Sequence, residues 1–332
     1  WTLEELTAAK GFSFRSPVID VGPGVETQQC FFMKVPDINN GQDIWVDEVI
    51  SGVNPGSHHV NVFRVKEIVR QANPADELDP AKGQPFTIGT TSGTFIKDGA
   101  CFKPSSNWAT WPLVTNTQKS HADDPYLRWK LPANVAHRFS PGEQLMVQIH
   151  YVNANTQTTP YKGKVGVNFV KSTATAPMEL GTLFATQQSI RVCQSNPAPT
   201  YKGTCSFPAG ANVTIAAANG HFHSRGKRFR MYTWDGNTTT QPSDVARFYS
   251  SSSWDEPPMS TGLNIPVPSG GGIWWNCDFQ WRAPAEGCAS VNALDPQNAN
   301  DCCYTFGPVV ETSEHCNAFV YYYPKQDDVF CN

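Results

Sequence analysis

The stretch EQLMVQIHYVN, residues 143–153, sets Leu145, Val147 and Ile149 at alternate positions, with Met146, Gln148 and His150 between them. Side chains two apart on a strand share a face, so this period of two predicts a β-strand with one apolar face. His150 falls on the other, polar-leaning face, which makes it a candidate site residue as well as a fold marker.

Similar β-rich segments recur in QCFFMKV (29–35), QDIWVDEVIS (42–51), NVFRVKEIV (61–69), VTIAAANGHFHS (213–224), RFRMYTW (228–234) and AFVYYY (318–323), separated by Gly, Pro, Asn or Asp turns. Gly and Pro number 25 and 26 while charged residues make up only 16%. Together these predict an all-β protein built as two tandem antiparallel β-sandwich domains of jelly-roll-like type. A chain of 332 residues exceeds the usual size of one core. The stretch KSTATAPMELG (171–181) reads as the linker, placing the boundary near 175, with domains at 1–175 and 176–332. TLEELTAA (2–9) and PSDVARFY (242–249) read as possible short helices.

The net charge of -4 and the absence of Lys or Arg runs give no nucleic-acid footprint. No apolar stretch reaches 18 residues, so no membrane span is expected. The start at Trp1, without a signal-like segment, reads as a mature or trimmed product. Ten cysteines without a CxxC pair point to disulfides and an oxidising, secreted or periplasmic compartment. Asn212-Val213-Thr214 and Asn237-Thr238-Thr239 are sequons that a eukaryotic host would be able to glycosylate. Trp274 and Trp275, or Tyr321 to Tyr323, are candidates for a glycan or aromatic-substrate platform, although most aromatics are expected in the core.

Six of the eight histidines stand in ligand-like contexts: His58-His59, His150, His221-Phe222-His223 and His315. His221 and His223, two apart on an expected strand, project to one face. Adjacent His58 and His59 share an ion only at a strand end or a bulge. The six form two groups of three, one per expected domain, and imidazole-only sites suit copper or zinc. His121 and His137 lie in polar sequence and read as surface residues.

The order of these motifs resembles the copper type II ascorbate-dependent monooxygenases, the family of peptidylglycine α-hydroxylating monooxygenase and dopamine β-monooxygenase. The matching stretches are TQQCFFMKVP (27–36), HHV (58–60), VQIHY (147–151), HFHSRGK (221–227) and EHCNAFVYYYP (314–324). The resemblance implies one copper per domain, the electron-transfer ion on His58, His59 and His150 and the catalytic ion on His221, His223 and His315. It also implies ascorbate or another reductant as electron donor, dioxygen as co-substrate and hydroxylation of a C–H bond in a small or peptidic substrate.

His315 stands where the family has methionine. An imidazole is harder than a thioether and favours Cu(II), so a lower reduction potential is expected. Asn219 replaces an arginine and Phe319 a tyrosine that grip a substrate carboxylate in the amidating enzymes, while Asn317 is kept. These three are the candidate substrate-binding residues, and the changes argue against a peptidyl-glycine substrate. The resemblance further implies a Cys277–Cys316 disulfide. Cys193–Cys331 is the next expected bridge, Cys205, Cys288, Cys302 and Cys303 leave three pairings open, and Cys30 and Cys101 either bond to each other or stay reduced. A monomer is expected. A non-catalytic copper-binding or copper-handling protein and a zinc hydrolase are the alternative functions, the latter short of a glutamate base because Glu314 is expected to point away from His315.

Overall fold

The computed structural model describes residues 2–54, 56–65, 94–96, 111–117, 125–153, 161–292, 301–307 and 309–332, with the backbone alone at 94–96 and 292. Residues 66–69 of one expected strand, Cys101 and His121 lie outside these. The chain divides into two compact units, Trp1–Thr182 and Leu183–Asn332.

In the first unit a six-stranded sheet contains Gly11–Arg15, Val165–Lys171, Ile44–Val53, Val135–Phe139 and Met178–Glu179 in that order, with Tyr126–Lys130 also paired to Ile44–Val53. A five-stranded sheet runs Thr94–Ile96, Glu26–Lys34, Gln144–Val152, Ser57–Arg64, Leu113–Thr117. Successive strands change sheet: Glu26–Lys34 belongs to the second, Ile44–Val53 to the first and Ser57–Arg64 again to the second. That alternation is the jelly-roll-like connectivity. The two sheets close over one core. Leu145, Val147 and Ile149 meet Val165, Val167 and Phe169 there, and Phe14 packs on Phe31 across the layers at 5.8 Å. The strand read from residues 143–153 therefore spans Gln144–Val152, with its apolar face inward as its period requires.

The unit continues past 175 because Met178–Glu179 adds to Val135–Phe139 as a parallel strand. Met178 N–H donates to the Asn134 carbonyl and Leu180 N–H to that of Ala136. Part of the stretch read as a linker is thus hydrogen-bonded sheet edge.

The second unit packs a four-stranded sheet, Gly181–Thr186, Asn317–Tyr323, Thr214–His221 and Ile265–Pro266, against a five-stranded one, Arg247–Ser251, Gly226–Trp234, Gly272–Phe279, Thr200–Ser206 and Phe330–Cys331. Ile215, Ala218, Phe229, Met231, Trp275 and Val320 form their shared core. Neither expected helix forms as such. Residues 2–7 are irregular, and within 242–249 a single 3₁₀ turn, Asp244–Ala246, leads into the strand Arg247–Ser251.

Four disulfides lie in this unit: Cys277–Cys316, Cys193–Cys303, Cys205–Cys331 and Cys288–Cys302. The expected Cys193–Cys331 bridge is absent. Cys193 lies directly across a strand pair from Cys303, and Cys205 lies across from Cys331, each at a Cα separation of 4.0 Å. Register between strands far apart in sequence therefore chose the partners. Cys30 is also disulfide-bonded. Among the described residues no helix is long and apolar enough to cross a membrane.

Candidate metal centres

In the first unit His150 pairs in register with His59, and the next pair is Tyr151 with Ser57, so His58 is the extra residue of a β-bulge. A bulge lets neighbouring side chains escape strict alternation. As a result the three rings converge, with centroids 5.3 Å apart for His58 and His59, 5.0 Å for His58 and His150, and 4.9 Å for His59 and His150. Their ligating nitrogens lie within 4.8 Å of one another, and all three residues are buried.

Neighbouring side chains orient these rings. His150 Nε2 is 2.7 Å from Glu26 Oε1, while its buried Nδ1 meets no hydrogen-bond partner. Burial lowers the His150 pKa to about 3. The contact with Glu26 is therefore a hydrogen bond from a neutral imidazole rather than an ion pair, and it leaves Nδ1 to face an ion. His59 Nε2 is 3.3 Å from Gln148 Oε1, which also accepts from Asn61 Nδ2 at 3.0 Å. An acceptor at Nε2 puts the His59 proton there and directs Nδ1 as the donor atom.

In the second unit His221 ends the strand Thr214–His221, and His223 lies beyond it in a turn closed by Gly226 N–H to the His223 carbonyl. The strand expected to carry both histidines stops between them. Phe222 is buried in the core and anchors the turn. His315 follows the two-residue strand Ser313–Glu314. Ring centroids are 5.1 Å apart for His221 and His223, 5.2 Å for His221 and His315, and 4.3 Å for His223 and His315. His223 Nδ1 sits 2.9 Å from the Ser313 carbonyl, which assigns the proton to Nδ1 and Nε2 to an ion.

Glu314 supports the turn of His223 through the backbone. It is 0% exposed, and its Oε2 and Oε1 accept the backbone N–H groups of His223 (3.0 Å) and Arg225 (2.9 Å). Burial pushes its pKa up to about 8, opposed by those two N–H groups and by the Arg225 charge. Arg225 is itself buried and donates to Tyr304 Oη at 2.7 Å. Glu26, Ser313 and Arg225 have no role in the sequence analysis, which places Gln148 only on the polar-leaning face and weighs Glu314 only as a base. Gln148 is two residues from His150 on one strand face, and Glu314 adjoins His315, so both carried a local signal; Glu26 carried none.

The substrate candidates lie beside the second cluster. Asn317 pairs in register with His221, and Asn219 with Phe319. Asn219 Nδ2 donates to the Pro257 carbonyl at 3.2 Å, and Phe319 stacks on Phe184 at 5.0 Å. The Oδ1 atoms of Asn219 and Asn317 are buried without hydrogen-bond partners. His137, expected at the surface, is buried instead. It is 1% exposed on the strand Val135–Phe139, where its neighbours Trp129 and Phe139 enclose the ring. Trp275, Tyr321 and Tyr322 are buried and form no surface platform.

Imidazole is a donor suited to copper or zinc, so His58, His59 and His150, whose ligating nitrogens converge, fit such an ion, and the neighbouring rings of His221, His223 and His315 make them candidate ligands for another. No family model and no curated protein matches the chain. Among solved structures it is similar to the major capsid protein P2 of Bacteriophage PM2, with 8% identity over 93% of this chain and 96% of that one, at a TM-score of 0.33. It is also similar to PNGase F, a glycosylasparaginase from Flavobacterium meningosepticum, with 11% identity over 100% and 97% of the chains, at a TM-score of 0.25. Similarity at this level carries no functional inference.

Proposed function

We propose that this chain is a secreted dicopper oxidoreductase that uses dioxygen and electrons from ascorbate or a comparable reductant to hydroxylate a C–H bond of a small or peptidic substrate. The observation that supports it is the pair of buried all-histidine clusters, one in each unit, on the positions that resemble the copper monooxygenase ligands. Bound copper supplies the cycling between Cu(I) and Cu(II) that such chemistry needs. The protein's own residues do the rest. Glu26 and Gln148 orient His150 and His59, while the Ser313 carbonyl and the Glu314 carboxylate hold the turn of His223. Asn219, Asn317 and the Phe319–Phe184 stack line the substrate side of the second cluster.

Copper titration with spectroscopy of each site, followed by ascorbate-driven dioxygen uptake over a broad substrate panel, tests this reading. Two ions per chain and substrate-dependent uptake are expected. Full copper loading with no uptake would sink it.

His315 favours a second reading, a non-catalytic copper-binding or copper-handling protein, because a third imidazole stabilises Cu(II). A second-unit copper that ascorbate fails to reduce, read by potentiometry, supports that role. For the zinc-hydrolase alternative Glu314 is a poor general base, since both its oxygens are taken by backbone N–H groups.

A further inference from the structure

The five-stranded sheet of the second unit turns Phe229, Met231, Ile273 and Trp275 into the core. By alternation Trp274, its register partner Tyr232 and its other partner Thr204 lie on the outer face, away from the four-stranded sheet that ends in His221. A cavity of about 480 Å³ opens on that outer face, lined by residues that include Gln187, Lys202, Trp234, Asn237, Trp274 and Asn332. This volume falls within the range of roughly 300–1,000 Å³ typical of small-molecule sites.

The lining chemistry is specific. Trp234 and Trp274 stand 6.4 Å apart at 61°, so the two indoles form adjoining walls. Trp234 Nε1 donates to the Thr238 carbonyl at 2.8 Å. Trp274, only 3% exposed, has an Nε1 with no hydrogen-bond partner, a state that native interiors rarely leave unanswered. Lys202 Nζ lies 4.5 Å from the Trp274 ring centroid and donates to the Thr239 carbonyl at 3.0 Å, which leaves two of its three protons for a ligand. No Asp or Glu side chain is among the described lining residues.

An indole face is electron-rich and attracts C–H edges, as a pyranose ring presents them, while carboxamides and an ammonium match its hydroxyls. A wholly apolar ligand would strand those polar groups, and a phosphate would meet a single cation. We infer that this cavity is a saccharide-binding site that takes one pyranose ring, neutral or carboxylated, against the half-buried Trp234, with Trp274 buried beneath Lys202 in the same lining. Asn237, which lines it, is exposed and begins the sequon Asn237-Thr238-Thr239. The sugar therefore comes either from a separate carbohydrate or from a glycan on Asn237 itself.

Two arms distinguish the sources. The unglycosylated full chain is titrated with cellotriose, chitotriose and trigalacturonate by tryptophan fluorescence and calorimetry. Saturable binding of one of them is expected, weakened about tenfold by Trp234→Ala, and trigalacturonate binding is further weakened by exposed-site Lys202→Met. In the second arm the chain is secreted from eukaryotic cells. A glycan on Asn237 that shifts tryptophan fluorescence, reversed by Asn237→Gln, assigns the cavity to the chain's own sugar. The inference is overturned when no probe binds the unglycosylated chain and no Asn237-dependent fluorescence shift appears, or when Trp234→Ala binds as the parent does.

Discussion

Glu314 and His223, 91 residues apart, meet where a buried carboxylate oxygen accepts the histidine's backbone N–H at 3.0 Å. The other oxygen takes the Arg225 N–H, so one side chain clamps the whole turn after His221. A glutamine in its place keeps one acceptor and turns an NH2 toward the other N–H. Glu314→Gln is expected to cost about 1–3 kcal/mol for the stranded buried donor. Copper affinity of the second cluster should fall while that of the first is unchanged; equal loss at both, read by site-resolved titration, would contradict the clamp.

Gly226 closes the same turn. A Cβ there would run into the Phe222 ring, the core residue between the two ligand histidines. Gly226→Ala is expected to destabilise the second unit by about 1–3 kcal/mol through overpacking. It should also broaden the electron paramagnetic resonance signal of copper on His221 and His223. An unchanged spectrum together with an unchanged Tm would show that the ring moves aside freely.

His137 sets an acid limit on the first unit. Burial, with a smaller push from the Arg64 charge, lowers its pKa from 6.5 to about 3. The unfolded chain accepts a proton near 6.5 that the folded chain refuses until about 3. Stability therefore falls as pH drops through that window, by up to about 1.4 kcal/mol per pH unit. Denaturant unfolding of metal-free protein should show an acid-side slope that is reduced by one proton in His137→Phe, with the His150 contribution remaining. An identical slope in parent and variant would refute the assignment.

The Cys277–Cys316 bridge closes a 39-residue separation immediately beside His315. Trp275 Nε1 donates to the Cys316 carbonyl at 3.3 Å and seats the same segment in the core. Replacing both cysteines by alanine is expected to remove about 4 kcal/mol of stability by the loop-closure relation. The measurement is a paired denaturant curve and copper titration. Second-cluster copper should bind more weakly, and retention of full affinity would show that strand pairing alone places His315.

The period of two in residues 144–152 and in 318–323 was enough to assign strands, because alternation is a local property of the chain. The grouping of His58, His59 and His150 was legible too, but its cause was not. The bulge at His58 exists only in the pairing of two strands that lie about 90 residues apart in the sequence. His137 was misread for the converse reason: polar neighbours in sequence say nothing of the Trp129 and Phe139 rings that enclose it.

Composition, spacing and short-range period carry the all-β class, the two-unit plan, the six histidines and the disulfide-rich second half. Tertiary structure decided which cysteines pair, which acids serve the histidines and which tryptophan faces a cavity. Those outcomes depend on register between distant strands and on exclusion of water from particular side chains. Neither quantity exists until the sheets have closed over their cores.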